Sequence, residues 1–538
     1  MSLTLRKPSQ SKSAPSTLNL NLNLNLNLNL NLNLNLNLNL NLNLSLNLSL
    51  NLNLNLNLNL NNPPSMTTKL PLTLLASLAV VSCSQKEDKL PNIIFILADD
   101  LGYGDLSCYG QQKFSTPNID RLARDGMMFT QHYTGCTVSA PSRSSLMTGQ
   151  HTGHTPIRGN RGWEPEGQWP LPADSYTIAE LLKTKGYTTG AFGKWGLGYI
   201  DTEGDPNKQG IDEFFGYNCQ SLAHNYYPDH LWKNHEKIIL HENDSGKTGA
   251  YSAEIIHKAA INFIENNRDK PFFMFYPTTI PHAELFAKEE YIKMFRGKFE
   301  PEKSYKGTDD GPDFRLGPYG SQPEAHAAFA AMIKQLDDYV GEILAKIAEL
   351  GIEENTIVFF ASDNGPHLEG GADPDYFNSN GDLKGYKRDM YDGGIRTPLL
   401  VKWPGRIQEG SKTDHISAFW DIMPTFAEIS GAEVPDNTDG ISFLPTLLGK
   451  GKQKEHDYLF WEFHEQGGKM AVRMGNWKAV RLNINKTPQG ETELYDLSDD
   501  IGETKNVAPA NPDIVRKIEE IMKEAHQPSD NFQFIFEK

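Results

Sequence analysis

The chain contains very little cysteine for its length. Only four cysteines occur in 538 residues, at Cys83, Cys108, Cys136 and Cys219, and none of them forms a Cys-x-x-Cys pair. This composition excludes a scaffold built on disulfides, and the missing pairs remove the usual signature of a structural zinc site. The chain must therefore gain its stability from a buried core, for which its length is ample.

Positive charge is also scarce. Lysine and arginine together number 51, against 68 aspartates and glutamates, so the formal net charge is −17. Proteins that bind nucleic acid depend on clustered cations, so we expect no nucleic-acid partner. An anionic substrate would instead need a local cationic pocket.

The first 65 residues lack sequence variety. From Leu18 to Asn61, asparagine alternates with leucine, and only Ser45 and Ser49 interrupt the repeat. Strict alternation is formally a strand pattern, but a uniform repeat without turn residues cannot specify a register. We interpret residues 1–65 as low-complexity sequence that does not belong to the mature protein, and we assign it no function.

A second possible start follows at Met66. Residues 66–83 contain one lysine, a short apolar run and small residues ending in Cys83, which predicts an export signal too short to span a membrane. Its last four residues, VVSC, resemble the lipobox of bacterial lipoproteins, which implies that Cys83 is lipidated; a plain cleaved signal is the alternative. We expect an exported protein, in the periplasm or at the cell surface, that meets the membrane only through a lipid anchor.

Buried strands alternate with helices through residues 84–450. Continuous apolar runs, typical of a parallel sheet covered on both faces, predict strands at 90–98, 187–192, 270–276 and 356–361. We expect Asp174-Ser175 to cap a helix that stops at Gly186, and residues 324–350 to form a long amphipathic helix.

This alternation predicts an α/β fold with a large, mostly parallel central sheet flanked by helices. Beyond residue 450 the pattern changes to short strand candidates followed by a terminal helix. We therefore predict a smaller C-terminal α+β subdomain at residues 451–538, with an antiparallel sheet.

The predicted strand ends carry reactive side chains, and in such sheets ligands bind beyond those ends. The residues there are Asp99-Asp100, Lys194, Pro281-His282 and Asp363-Asn364. Three carboxylates and one amide offer hard oxygen ligands, which suit calcium or magnesium and not zinc. For either acidic pair alone, ordinary turn chemistry is the alternative.

Ser139 is the candidate nucleophile. The segment SAPSRSSLM begins a helix at Ser139, with Pro141 suited to the first turn. A side chain at a helix N-terminus faces free N–H groups and the positive end of the dipole, a favourable place for a sulfate or an oxyanion. On this segment alone, Ser139 could equally be a simple helix cap.

Several motifs together resemble the type I sulfatases, which depend on formylglycine, and especially the arylsulfatases and N-acetylgalactosamine-6-sulfatases. SAPSRSSLMTGQ is similar to the family signature Cys/Ser-x-Pro-Ser-Arg-x-x-x-Leu-Thr-Gly-Arg, with Met147 for leucine and Gln150 for the closing arginine. NIIFILADDLGYGD, FGKWGLG, FASDNG and LKGYKRDMYDGGIRTP follow in the family's order. The resemblance extends from Pro91 onward and implies an alkaline-phosphatase-like sandwich fold.

The resemblance also implies roles for individual residues. Ser139, in the serine-type signature, would be oxidised to formylglycine (3-oxoalanine) by a cytoplasmic radical-type maturating enzyme before export. The divalent cation, usually Ca²⁺ with Mg²⁺ possible, would be held by Asp99, Asp100, Asp363, Asn364 and an oxygen of modified Ser139. The remaining catalytic residues would be Arg143 and Lys194 beside the nucleophile, and His282 and Lys387 beside the sulfate and the leaving oxygen.

One position departs from the family pattern. The family usually has a histidine two residues after the lysine of GKWHLG, where this chain has Gly196. The base for the elimination step is therefore open: Asp363, or another histidine such as His151 or His154, are the alternatives. For those two histidines a polar supporting role is the competing interpretation.

We therefore predict a sulfuric ester hydrolase that removes sulfate from a sulfated carbohydrate or an aryl sulfate. The stretch AHNYYPDHLW, at residues 223–232, favours a carbohydrate because it is polar and aromatic. The alternatives are a phosphoester or phosphonate hydrolase of the same superfamily, and a catalytically impaired lipoprotein that only binds glycans.

Overall fold

The structure is a computed structural model that describes residues 89–537 and, before them, three short strands. Those strands are Thr4–Leu5, Leu18–Leu24 and Leu30–Leu36, and the last two pair antiparallel. The predicted export signal at 66–83 and the lipidation site Cys83 lie outside the described residues. No helix in the described part of the chain combines the length and the apolar character that crossing a membrane requires. Residues 89–538 form one compact unit.

A ten-stranded mixed sheet forms the centre of this unit. Its strands are β1 (Asn92–Ala98), β2 (Met127–Phe129), β3 (Thr188–Lys194), β4 (Glu213–Tyr217), β5 (His230–Lys233), β6 (Glu236–Ile239), β7 (Phe272–Pro277), β8 (Thr356–Ser362), β9 (Leu399–Lys402) and β10 (Ser411–Thr413). They lie in the order β6-β5-β4-β3-β7-β1-β8-β9-β2-β10. The five strands from β4 to β8 in this order are parallel, whereas both ends of the sheet include antiparallel pairs.

Both faces of the central strands are covered by helices. Alternate residues of β1 point to opposite faces, so Ile94 and Ile96 belong to one apolar core while Phe95 and Leu97 belong to the other. This two-sided burial is why the strand sequences are continuous apolar runs. The predicted α/β sandwich is confirmed, and the antiparallel ends make its sheet mixed.

The helices follow the sheet in a layered arrangement. They are α1 (Pro117–Arg124), α2 (Ser139–Thr148), α3 (Ile178–Lys183), α4 (Ser252–Asn267), α5 (Glu289–Phe295), α6 (Ala325–Glu349), α7 (Pro374–Phe377), α8 (Asp392–Ile395), α9 (Ile422–Ser430), α10 (Leu444–Leu448) and α11 (Pro512–Glu524). Helices α1, α4 and α6 cover one face, and α2, α3, α9 and α10 cover the other.

The predicted cap of α3 was wrong. Its N-cap is Thr177, whose hydroxyl accepts from the Glu180 backbone N–H at 3.2 Å, while the Glu180 carboxylate accepts from the Thr177 N–H at 2.9 Å. This reciprocal capping box satisfies two free donors, which Asp174 and Ser175 lie too early to do.

The C-terminal part forms a separate antiparallel sheet followed by α11. Its strands are β11 (Leu459–Phe463), β12 (Lys469–Met474), β13 (Trp477–Leu482) and β14 (Thr492–Asp496), in that order. Buried charges connect this sheet to the rest: Lys478 Nζ lies 2.8 Å from Asp392 Oδ1 and 3.3 Å from Glu503 Oε1. Asp392 follows the loop that contains Lys387, so the small sheet supports that loop.

Candidate active site

The polar residues predicted at the strand ends do converge. Strands β3, β7, β1 and β8 are neighbours, so their carboxyl ends bring Lys194, Asp99, Asp100 and Asp363 together. Asp100 adopts a left-handed backbone, φ 63°, and its N–H donates to Asp363 Oδ1 at 3.1 Å. All four side chains are buried, so their charges interact strongly.

Ser139 is the first residue of α2 and lies among these groups. Its Oγ is 3.2 Å from Asp99 Oδ1 and 3.2 Å from Lys194 Nζ, and Lys194 also forms an ion pair with Asp99. One helical turn later, the Arg143 guanidinium donates to Asp363 Oδ2 from Nε at 3.1 Å and from Nη2 at 2.8 Å. The helix N-terminus and two cations therefore surround the Ser139 hydroxyl.

The predicted metal ligands offer a suitable set of donors. The Asn364 amide donates from Nδ2 to Asp100 Oδ1 at 2.7 Å, which directs the amide group to this site. Its Oδ1 is buried and has no hydrogen-bond partner among the described residues. A buried acceptor without a partner is costly and normally has an unseen one. Together with three carboxylates, this oxygen fits a hard divalent cation.

Burial and charge alter the protonation of these groups. Burial and the neighbouring Asp99 raise the pKa of Asp363 to about 6, although Arg143 opposes the shift. Burial lowers the pKa of Lys194 below its ordinary value, although Asp99 opposes this. Burial would raise the pKa of Asp100, but Lys387 holds it below its ordinary value, so this carboxylate stays charged and can bind a cation.

His282 and Lys387 form a hydrogen-bonded pair on the other side of Asp100. Lys387 Nζ lies 3.0 Å from His282 Nε2, 2.9 Å from Asp100 Oδ2 and 3.1 Å from Glu369 Oε2. The His282 Nδ1 contacts the Ala283 carbonyl, so Nδ1 is the donor and Nε2 accepts from lysine. Burial and Lys387 lower the pKa of His282 well below its usual range, so in this arrangement the available proton is on Lys387.

Two protein-family models match this chain. The family model described as Sulfatase matches residues 91–432. The chain belongs to the sulfatase family. A second model, described as N-sulphoglucosamine sulphohydrolase, C-terminal, matches residues 384–528 and so includes the small sheet and α11.

Named sulfatases are similar along most of their length. Arylsulfatase A of Homo sapiens is 31% identical over 503 residues, with 84% of this chain and 89% of that protein covered. The N-acetylgalactosamine-6-O-sulfatase of Bacteroides thetaiotaomicron is 30% identical over 531 residues, with 84% and 98% covered. The chain is therefore a sulfuric ester hydrolase, of a family that uses formylglycine and a divalent metal.

Solved structures support the fold assignment. The crystal structure of Ps i-CgsB in complex with k-i-k-neocarrahexaose has a TM-score of 0.66 at 30% identity, covering 82% of this chain and 94% of that one. The phosphonate monoester hydrolase of Agrobacterium radiobacter has a TM-score of 0.56 at 21% identity, covering 81% and 95%, and shares the fold.

A pocket of about 250 Å³ in this sulfatase includes Ser139, His282 and Lys387. Its other lining residues are Asn160, Arg161, Gly162, Gln168, Gln220, Ser221, His224, Tyr319 and Arg388. Most of these were missed from the sequence because they lie on loops outside the strand ends. Within the stretch 223–232, only His224 lines this pocket, while Tyr226 and Trp232 are buried. The carbohydrate-binding interpretation of that stretch therefore has little structural support.

Glu369 and Tyr319 are further residues that sequence reasoning missed. The Tyr319 hydroxyl donates to Glu369 Oε2 at 3.0 Å, and Arg388 forms an ion pair with Glu369. Burial alone would raise the pKa of Glu369, but Lys387 and His282 hold it well below its ordinary value. Glu369 therefore stays charged and holds Lys387 in place. Its position at the end of GPHLE, two residues after His367, gave no recognisable signal.

At Gly196, where the family pattern has a histidine, a side chain from another part of the chain takes the histidine's place. That side chain is not a base. Gly196 has φ +73°, and a Cβ atom there would lie 2.3 Å from Gln220 Nε2. The Gln220 amide thus fills the adjacent space, and its Nε2 has no hydrogen-bond partner in the described part of the chain. An amide cannot take up a proton at neutral pH, so Gln220 can bind substrate but cannot serve the elimination step.

His151 and His154 do not line this pocket. His154 Nδ1 lies 2.8 Å from Asp439 Oδ1, and His151 Nε2 lies 3.8 Å from Asp439 Oδ2. The two rings also contact each other in a tilted arrangement, with centroids 4.1 Å apart. Their contacts support the loop after α2, in agreement with the supporting role considered for them.

Proposed function

We propose that this sulfatase is exported and removes sulfate from a sulfated carbohydrate, using formylglycine formed from Ser139 and a bound Ca²⁺ or Mg²⁺. This proposal rests on the position of Ser139 Oγ at a helix N-terminus, where it lies 3.2 Å from the Asp99 carboxylate and 3.2 Å from the Lys194 ammonium group. A serine hydroxyl alone has a high pKa and is a weak nucleophile. Formylglycine at Ser139 would supply a hydrated aldehyde, a stronger nucleophile, and the metal would supply a Lewis acid.

The surrounding residues bind and orient the sulfate group. Asp99 accepts from Ser139 Oγ and can hold a proton leaving that atom. Lys194 and Arg143 place positive charge beside the same oxygen, where negative charge develops during attack. Asp99, Asp100, Asp363 and Asn364 Oδ1 would hold the metal.

Lys387 and His282 supply the proton that the departing alcohol needs. Lys387 carries that proton and donates to His282 Nε2, and both residues line the pocket. Asp100 and Glu369 overcome the effect of burial and raise the pKa of Lys387, so it remains a cation that can also bind a sulfate oxygen.

The relatives favour a hexosamine or galactose sulfate as the substrate. One is named an N-acetylgalactosamine-6-O-sulfatase, and one structure contains a neocarrahexaose. The lipobox-like VVSC at residues 80–83 supports export as a lipid-anchored protein to the periplasm or cell surface. Modification by a cytoplasmic radical-type enzyme would then precede export.

A modification assay combined with a substrate panel tests this proposal. Mass spectrometry of the Ser139 peptide should show a species lighter by the mass of two hydrogens when a radical-type maturating enzyme is co-expressed. Ser139→Ala should abolish release of sulfate from defined sulfated sugars, whereas Ser145→Ala, on the same helix, should not. Full activity of enzyme that contains only unmodified serine would contradict the proposal. Hydrolysis of phosphonate esters but no sulfate esters would favour the superfamily alternative.

A further inference from the structure

Arg161 is a pocket cation without an ion-pair partner. It lines the same pocket as Ser139, and within residues 89–537 no carboxylate lies in ion-pair distance of it. The other cations of that pocket, Lys387 and Arg388, each form an ion pair with Glu369. In a chain with a net charge of −17, an arginine left unpaired at a substrate pocket is available to bind an anion.

The position of Arg161 is fixed by its neighbours. Its guanidinium lies over the Trp169 ring, 3.6 Å from the centroid, and its backbone carbonyl accepts from the Trp169 N–H at 2.7 Å. The preceding residue, Asn160, accepts through Oδ1 from the N–H of Ala140, which directly follows Ser139, at 3.1 Å. The aromatic contact orients the guanidinium without neutralising it, and the Asn160 bond ties the arginine to the nucleophile helix.

An exposed aromatic ring lies beside this cation. Trp163 is 39% exposed and meets Trp169 edge-to-face, with ring centroids 5.2 Å apart. Trp163 belongs to a short hairpin that begins at Gly162, which itself lines the pocket. An exposed indole supported from behind offers a rigid apolar surface of the kind that sugar rings contact.

We propose that Arg161 and Trp163 form a subsite for a second, anionic sugar, adjacent to the sugar that loses its sulfate. Trp163 contacts the ring, and Arg161 binds a carboxylate or second sulfate on it through its planar pair of N–H donors. The inference rests on the proposed function, because it assumes that the scissile sulfate lies at Ser139. It makes the preferred substrate a polyanionic glycan and not an isolated monosaccharide sulfate.

A matched pair of substrates tests the subsite. The pair is a disaccharide of glucuronate and N-acetylgalactosamine 6-sulfate and its uronate methyl ester. The third substrate is 4-nitrophenyl sulfate, which has no second anionic group for Arg161 to bind. The native enzyme should prefer the free acid, and Arg161→Gln should lose about 10- to 100-fold in kcat/KM on it, mainly through KM. Activity on the methyl ester and the aryl sulfate should change by less than about 3-fold.

Further variants separate recognition from structure. Arg161→Lys should retain part of the preference, because charge remains while the planar fork is lost, and Trp163→Ala should weaken both disaccharides. Arg268→Gln, which changes an exposed arginine outside the pocket lining, should alter none. Equal losses by Arg161→Gln on all three substrates, or no loss on the free acid, would overturn the subsite.

Binding measurements distinguish the two proposals. Calorimetry with the desulfated disaccharide should show tighter binding of the free acid than of its methyl ester by the native enzyme, and no difference for Arg161→Gln. If no sulfate ester is hydrolysed while this difference persists, the proposed function fails and the anionic subsite stands. If sulfate esters are hydrolysed and the difference is absent, the subsite fails alone.

Discussion

Placing a side chain at Gly196 should destabilise the enzyme through Gln220. The left-handed backbone at φ +73° costs an alanine roughly 1 kcal/mol. In addition, the new Cβ would lie 2.3 Å from Gln220 Nε2, so this flexible end of the glutamine must turn away, at a cost of about 0.5–1.5 kcal/mol for leaving its favoured rotamer. We therefore expect Gly196→Ala to lower the free energy of unfolding by about 1.5–2.5 kcal/mol.

A double-mutant cycle isolates the contact. Gln220→Ala removes the obstructing amide, so Gly196→Ala in that background should cost only the backbone part, roughly 1 kcal/mol. Urea unfolding of the four proteins gives a coupling energy, which we expect to be about 0.5–1.5 kcal/mol. A coupling below about 0.5 kcal/mol, the usual limit for independent sites, would refute the idea that Gln220 occupies the space beside Gly196.

Because Gln220 occupies the space beside Gly196, Gly196→His alone should not increase the rate of sulfate release. The double variant Gly196→His with Gln220→Ala should accelerate the steady release of sulfate that follows any initial burst, by at most roughly 10,000-fold. Chelation should abolish turnover, and Ca²⁺ or Mg²⁺ should restore it while Zn²⁺ does not, because the donors are all oxygen; Asp363→Ala should remain inactive with any of the three. Thr177→Ala should cost about 1 kcal/mol in urea unfolding, since it removes a capping box.

The pH dependence of stability should depend on Glu462. Burial alone would raise its pKa, but hydrogen bonds from His464 and His526 lower it to about 2, against about 4.3 in an unfolded chain. A lowered carboxyl pKa stabilises the folded state above pH 4.3, and this contribution, about 3 kcal/mol, is lost as the pH falls towards 2. Urea unfolding from pH 6 to pH 3 should show this slope, and Glu462→Gln should remove it; an unchanged slope would contradict the assignment.

The sequence predicted the strands and their reactive ends well because one physical cause determines both. A strand covered on two faces must be apolar throughout, so 90–98 and 356–361 were recognisable and agree with β1 and β8 within two residues. The parallel arrangement then required Asp99 and Asp363 to meet. The edge strand β6 was missed, since its residues are mostly exposed and form no continuous apolar run.

The loop residues of the site could not be predicted in the same way. Gln220 and Arg161 reach the pocket, and Glu369 reaches Lys387 beside it, from segments whose course depends on tertiary contacts. No periodicity marks these residues. Gly196 was recognised only as a departure from a family pattern. Only the three-dimensional arrangement shows that Gln220, 24 positions later, fills the space left by the missing side chain.

The buried Lys478, bonded to Asp392 and Glu503, has a consequence for how this enzyme can be rebuilt. Recombining the catalytic part with the C-terminal sheet of another sulfatase would remove the Lys478 cation from Asp392 and leave only Arg396, whose Nη1 lies 3.4 Å from Asp392 Oδ2, to balance its charge. Breaking such a buried pair costs about 3–5 kcal/mol, a large share of the stability of an ordinary domain. The two parts should therefore be inherited together, and domain shuffling at residue 450 should yield soluble chimaeras only between relatives that share this ion pair.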